Sequence, residues 1–125
     1  MGSGIAQVAA TAGEEVMVYD TNETAIEKAG TSLTKIFARL VEKEKFTQNE
    51  ADDILGRITF VDSLELLENS DLIIEAIIEN LEIKQSVFSQ LEKIVSDECI
   101  LASNTSSLSI ASISSACQHP ERVIG

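Results

Sequence analysis

The sequence predicts an α/β fold, a parallel sheet covered on both faces by helices. Three observations predict it. Short apolar runs of strand length, such as Val16-Met17-Val18-Tyr19 and Leu72-Ile73-Ile74, alternate with longer stretches of helical spacing along the whole chain. Hydrophobic residues make up 44% of the 125 residues but aromatic residues only 4%, so Ile, Leu, Val and Ala must build the core. That balance suits a layered α/β domain better than a small β-domain. No internal repeat or low-complexity linker divides the chain, and its length fits one domain.

The elements follow in order. Residues Met1 to Ala12 carry apolar side chains at Ile5, Val8, Ala9 and Ala12, a helical spacing, and Gly13 is the stop. Val16 to Tyr19 reads as a short buried strand ended by Asp20. A long helix is expected from Thr24 to Lys45, with Ile26, Leu33, Ile36, Phe37 and Leu40 apolar. Thr47 is an N-cap with Glu50 three residues on, a capping box that starts a helix running to Gly56. Ile58 to Val61 is a strand, Ser63 to Asn69 a short helix, and Asp71 to Ala76 a stronger strand. Asn80 to Val95 reads as an amphipathic helix with Ile83, Val87, Phe88, Leu91 and Ile94 inward. Cys99 to Ala102 is the next strand, Leu108 to Ala116 a short helix, and Arg122 to Gly125 one more strand.

Charge and cysteines narrow the function. The formal net charge of −12 argues against nucleic acid, which needs a basic footprint, and against anionic membrane surfaces. A phosphate-bearing ligand is still admissible, because backbone N–H groups at a helix start bind it without net positive charge. No apolar run approaches the roughly 18 residues that span a bilayer. The N-terminus shows no basic segment followed by an apolar stretch, so no leader is expected. Cys99 and Cys117 lie too far apart for metal-ligand spacing and read as buried free thiols in a reducing cytoplasm.

Three stretches carry chemistry. Gly2 and Gly4 stand in the first turn of the first helix, where small residues let phosphates approach the backbone and the positive helix end. Glycines there also serve packing alone. Asp20 ends the following strand, where a carboxylate accepts hydrogen bonds from adenosine ribose hydroxyls. It would repel a 2′-phosphate, so NAD is favoured over NADP; an Asp at a strand end is equally a helix cap. In SDLIIEAIIENLEIK, Glu75 lies within the strand, Glu79 at the strand-to-helix turn and Lys84 further on in the helix. A polar cluster at the C-terminal edge of a parallel sheet is where ligands bind in this architecture. The plainer alternative has Glu79 capping the helix and Lys84 solvated. In ILASNTSSLSI a buried strand runs into Asn104, Thr105, Ser106 and Ser107, placing an amide and hydroxyls at the same edge or serving as an N-cap. Ser106 has no base for nucleophilic work: the single histidine, His119, stands beside Pro120 in a connection and is expected exposed. A Ser/His hydrolase is therefore rejected.

These stretches together, MGSGIAQVAATAG with VMVYD, DLIIEAIIENLEIK, and LASNTSSLSI with PERVIG, resemble the NAD-binding domain of L-3-hydroxyacyl-CoA dehydrogenases, nearest the bacterial 3-hydroxybutyryl-CoA type. The resemblance covers essentially the whole chain. It implies a Rossmann-like doubly wound parallel sheet with a helical hairpin insertion, here lacking its first strand. It makes residues 1–125 a partial NAD-binding domain without the family's C-terminal helical domain. The family's loop reads G-x-G-x-x-G, and Met1-Gly2 match its last two letters, so Gly2 would be the third glycine, which permits tight helix–strand packing. The resemblance implies that Asp20 holds the adenosine ribose, that Glu79 and Lys84 lie on the nicotinamide side, and that Asn104 adjoins the cofactor. Ser106 would hydrogen-bond the substrate's 3-oxygen. The hairpin from Thr24 to Gly56 matches the insertion that contacts CoA. The implied reaction interconverts (S)-3-hydroxyacyl-CoA and 3-oxoacyl-CoA by hydride transfer, in fatty acid or butanoate metabolism, in a cytoplasmic homodimer. The general acid/base histidine, in an H-F-F-N-P-like segment, should begin just after Gly125.

Removing a central strand exposes unpaired backbone groups at about 1–3 kcal/mol for each one buried. The chain by itself is therefore expected to be unstable or to aggregate, and inactive. The competing readings are a binding-only nucleotide module, a structural homologue such as lens lambda-crystallin, and another NAD-dependent hydroxy-acid dehydrogenase. The long hairpin argues against the last, since short hydroxy acids need no CoA-sized contact.

Overall fold

A computed structural model describes residues 2–125. The chain divides into two compact units, one running through Asp62 and the other Ser63–Gly125. The first unit holds a two-stranded sheet and the second a three-stranded sheet, both parallel.

The first unit contains α1 (Gly2–Thr11), β1 (Val16–Tyr19), α2 (Glu23–Glu42), α3 (Gln48–Gly56) and β2 (Ile58–Val61). β1 and β2 pair in parallel, Val16 beside Ile58 and Tyr19 beside Val61. α1 stops where expected: Gly13 takes φ +101°, a conformation open to glycine at little cost. Its buried face differs from the expected stripe. Ala6 and Ala10 are buried while Val8 is 71% exposed. Small side chains let α1 lie close on β1 and α3, so alanines take the inward positions that size alone would have given to Ile5 and Val8.

α2 starts at Asn22, whose side chain accepts from the N–H groups of Thr24 and Ala25. The capping box at Thr47 and Glu50 is formed and opens α3. Phe37, Ala51, Ile54 and Ala10 form the centre of this unit, with Leu40, Val41, Phe46 and Ile58 packed around them. The helical hairpin insertion is thus present as α2 and α3.

The second unit contains β3 (Leu72–Glu75), α4 (Leu81–Ile94), β4 (Ile100–Ser103), α5 (Ile110–Ser114) and β5 (Val123–Ile124). The expected helix at Ser63 to Asn69 is a single 3₁₀ turn, Leu64–Leu67. The strands pair in parallel in the order β3-β4-β5, Glu75 standing beside Ser103. Because side chains alternate, Glu75, Leu101, Ser103 and Val123 fall on the buried face, while Leu72, Ile74, Ile100 and Ile124 stay largely exposed on the other.

α4 buries Lys84, Phe88 and Leu91. Ile83, expected inward, is 44% exposed, and Lys84 holds the inward place one residue on. Glu92 accepts the N–H groups of Gln118 and His119, both at 2.7 Å, fixing the turn that leads into β5. Cys99 is buried and Cys117 half-buried; both are free, and burial raises both thiol pKa values. No helix among the described residues is long and apolar enough to cross a membrane. No group of three or more His, Cys, Asp and Glu side chains among them could hold a metal ion.

Candidate functional site

In the first unit the candidate residues stand at a helix start and a strand end. A Cβ placed on Gly2 or Gly4 would meet nothing within 4 Å. Both glycines stand in the first turn of α1. Asp20 follows β1 directly, and its Oδ1 accepts the N–H of Asn22 at 2.9 Å. Asn22, not Asp20, caps α2. The helix-cap reading of Asp20 therefore falls, and its exposed carboxylate is held by its neighbour at the C-terminal end of the strand.

The second unit builds a connected polar network at the ends of β3 and β4. Lys84 is wholly buried, and its ammonium donates to Glu75 at 2.6 Å and to Glu79 at 2.7 Å. The alternative in which Lys84 is a solvated surface lysine is thereby corrected. Its α4 position, four residues before Phe88, turns it onto β3. Glu75 also accepts from the Ser103 hydroxyl and from the Ile77 N–H at 2.8 Å.

Glu79 does not cap the helix either; Asn80 does, accepting the N–H of Ile83 at 3.1 Å. Instead Glu79 accepts the hydroxyls of Thr105 and Ser107, each at 2.7 Å. The Lys84 hydrogen bond, with those two hydroxyls behind it, lowers the Glu79 pKa to about 2. Burial pulls the Lys84 pKa down, but the hydrogen bonds and charges of Glu75 and Glu79 outweigh it and hold it above its ordinary value.

After β4 the chain alternates. Ser103, Thr105 and Ser107 turn their hydroxyls to the glutamates, while Asn104 and Ser106 are exposed. The Asn104 N–H donates to the Glu75 carbonyl at 2.9 Å, while neither the Asn104 side-chain amide nor the Ser106 hydroxyl is engaged by a hydrogen bond among the described residues, so both are presented at the surface of a fixed turn. The Thr105 hydroxyl also accepts the Leu108 N–H at 3.0 Å, tightening that turn. His119 is exposed as expected; its imidazole lies 3.5 Å from Glu121, remote in role from this network.

Sequence reasoning under-read Glu75 and Ser103, the two buried partners of the network. The signals were present. Glu75 lies two residues after Ile73 in a strand, hence on one face with it. Lys84 falls on the stripe of Phe88, Leu91 and Val95.

A strand-ending acid, a glycine start to a helix, and polar turns at the C-terminal ends of parallel strands are features of dinucleotide-binding α/β domains. Residues 1–125 match the family model described as 3-hydroxyacyl-CoA dehydrogenase, NAD binding domain, and the chain belongs to that family. It is 46% identical to a probable 3-hydroxybutyryl-CoA dehydrogenase of Bacillus subtilis, over 100% of this chain and 44% of that protein. It is 40% identical to a 3-hydroxybutyryl-CoA dehydrogenase of Mycobacterium tuberculosis, again over 100% of this chain and 44% of that protein. Among solved structures, Escherichia coli 3-hydroxybutyryl-CoA dehydrogenase matches with a TM-score of 0.95 and 36% identity, covering 98% of this chain and 26% of that one. The Ralstonia eutropha (S)-3-hydroxybutyryl-CoA dehydrogenase matches with a TM-score of 0.93 and 35% identity, covering 98% of this chain and 44% of that one. The chain thus spans less than half the length of these relatives. Its family cofactor is NAD.

Proposed function

We propose that this chain is the NAD-binding domain of an oxidoreductase that interconverts (S)-3-hydroxyacyl-CoA and 3-oxoacyl-CoA. The observation that carries the reading is the family match along the whole chain, residues 1–125. The residues fit the cofactor. The first turn of α1, with Gly2 and Gly4, offers backbone N–H groups without side chains in the way of a pyrophosphate. Asp20 presents a carboxylate to ribose hydroxyls and disfavours a 2′-phosphate. Glu79, Lys84 and Asn104 serve the nicotinamide side, and Ser106 hydrogen-bonds the 3-oxygen of the substrate. The bound nicotinamide supplies the hydride acceptor. The chain's own part is to hold and orient: Ser106 offers a free hydroxyl on a turn that Thr105 and Ser107 pin to Glu79. His119 is not the general base.

The domain works within a longer polypeptide that adds the C-terminal helical domain and the acid/base histidine. That polypeptide is a cytoplasmic homodimer in fatty acid or butanoate metabolism, with the α2–α3 hairpin on the CoA side. The net charge of −12 on these 125 residues gives the domain no basic footprint for nucleic acid or for an anionic membrane. Calorimetric titration of the polypeptide tests the cofactor assignment. NAD+ should bind, NADP+ at least about tenfold more weakly, and Asp20→Ala should erase the difference, a loss of about 1.4 kcal/mol. Equal binding of the two cofactors by the unaltered protein would sink the role given to Asp20. Oxidation of NADH on addition of acetoacetyl-CoA, but not of a short oxo acid, tests the substrate class.

A further inference from the structure

Neither the family match nor the roles above assign anything to Glu75. A carboxylate on the buried face of a strand is costly unless its oxygens are matched. Here three donors from three segments match them. They are the Lys84 ammonium of α4 at 2.6 Å, the Ile77 N–H after β3 at 2.8 Å, and the Ser103 hydroxyl at the end of β4. Lys84 passes the connection on to Glu79, and Glu79 to Thr105 and Ser107. A continuous path of charge-assisted bonds therefore runs from the interior to the turn that presents Asn104 and Ser106.

We propose that Glu75 is a positioning residue: by holding Lys84 and Ser103 it sets where Glu79 and the Asn104–Ser107 turn stand, and so governs cofactor binding without touching the cofactor. The inference rests on the NAD-binding reading above. Its chemistry is one of counting. Lys84 and Ser103 donate to one oxygen of Glu75 and the Ile77 N–H to the other, so a glutamine that keeps its oxygen toward Lys84 and Ser103 sets its NH₂ against the Ile77 N–H, and the flipped amide sets it against the Lys84 ammonium. In either orientation the charge facing Lys84 is lost and a hydrogen bond that fixes the end of β3 is broken, which frees Lys84 and Glu79 to shift.

The test uses the full dehydrogenase polypeptide and compares Glu75→Gln, Glu75→Asp and Ser103→Ala with the unaltered protein. A merely structural role lowers the active fraction, reducing kcat and Tm while both KM values stay put. A positioning role splits them. Glu75→Gln should raise KM for NAD+ about tenfold and leave KM for acyl-CoA within about twofold, with Glu75→Asp recovering most of the loss because it keeps the charge. Should Glu75→Gln fail to fold, Ser103→Ala keeps both charges and carries the same test, with an increase of about threefold in KM for NAD+. An NAD+ KM unchanged in the folded variants overturns the proposal, whatever happens to kcat or Tm. Failure of the unaltered protein to bind NAD+ is a different result: it overturns the NAD reading first, and this inference with it.

Discussion

Glu79 shows how one residue couples the candidate site to pH. Its carboxyl stands at about 2 in the folded protein against an ordinary 4.5, so folding favours the charged form. The stabilisation is fully present above about 4.5 and is lost as pH falls through about 2. Glu79→Gln should therefore lower stability at neutral pH and flatten the acid limb, the two proteins converging as pH falls to about 2. Chemical denaturation at several pH values checks this; an unchanged acid limb would show that the Lys84, Thr105 and Ser107 bonds do not persist in solution. Lys84 titrates in the opposite sense. Its raised pKa gives stability that is present below 10.5 and lost as pH rises through its folded value. At this scale the sequence was legible in part. Asp20, Glu79, Lys84, Asn104 and Ser106 could each be singled out by position, but not their states. A lysine in an amphipathic helix is solvated far more often than buried, and only the carboxylates of Glu75 and Glu79 reverse that here.

Helix ends and strand faces form the next scale. The Thr47 capping box was readable because its partners are three residues apart and need nothing from the rest of the fold. Thr47→Ala should cost about 1 kcal/mol, seen as a lower Tm. Gly30 lies in the middle of α2, and an added Cβ would meet the Phe60 ring at 3.8 Å, an ordinary contact. Gly30→Ala should stabilise by about 0.5–1 kcal/mol through helix propensity alone; a fall in Tm would show that the Phe60 ring cannot accommodate the methyl. The buried face of α1 was less legible. Hydrophobicity picks out Ile5 and Val8, but the distance of approach to β1 and α3 selects Ala6 and Ala10. The same limit applied to Ile83 and Lys84 in α4, where polar partners on β3 outweighed the apolar pattern.

At the scale of the whole molecule, the outer strands of each sheet pair on one side only among the described residues, and Leu72, Ile74, Ile100 and Ile124 form an exposed apolar face on the second sheet. Open edges and apolar faces promote association. The 125-residue chain produced by itself should aggregate or melt without cooperativity, whereas a polypeptide of the relatives' length should be monodisperse. Size-exclusion chromatography with light scattering separates these outcomes, and a soluble, cooperatively melting monomer of the short chain would refute the prediction.

The alternation of strands and helices, the hairpin insertion and the family followed from the sequence, because they depend on periodicity, caps and short motifs that act over a few residues. The buried network of Glu75, Lys84, Ser103 and Glu79 was decided only by the tertiary structure. Its members come from two strands, a turn and a helix, up to 28 residues apart. Whether a charge at such a position is solvated or buried depends on which opposite charge the fold brings to within hydrogen-bond distance, and no local pattern encodes that distance.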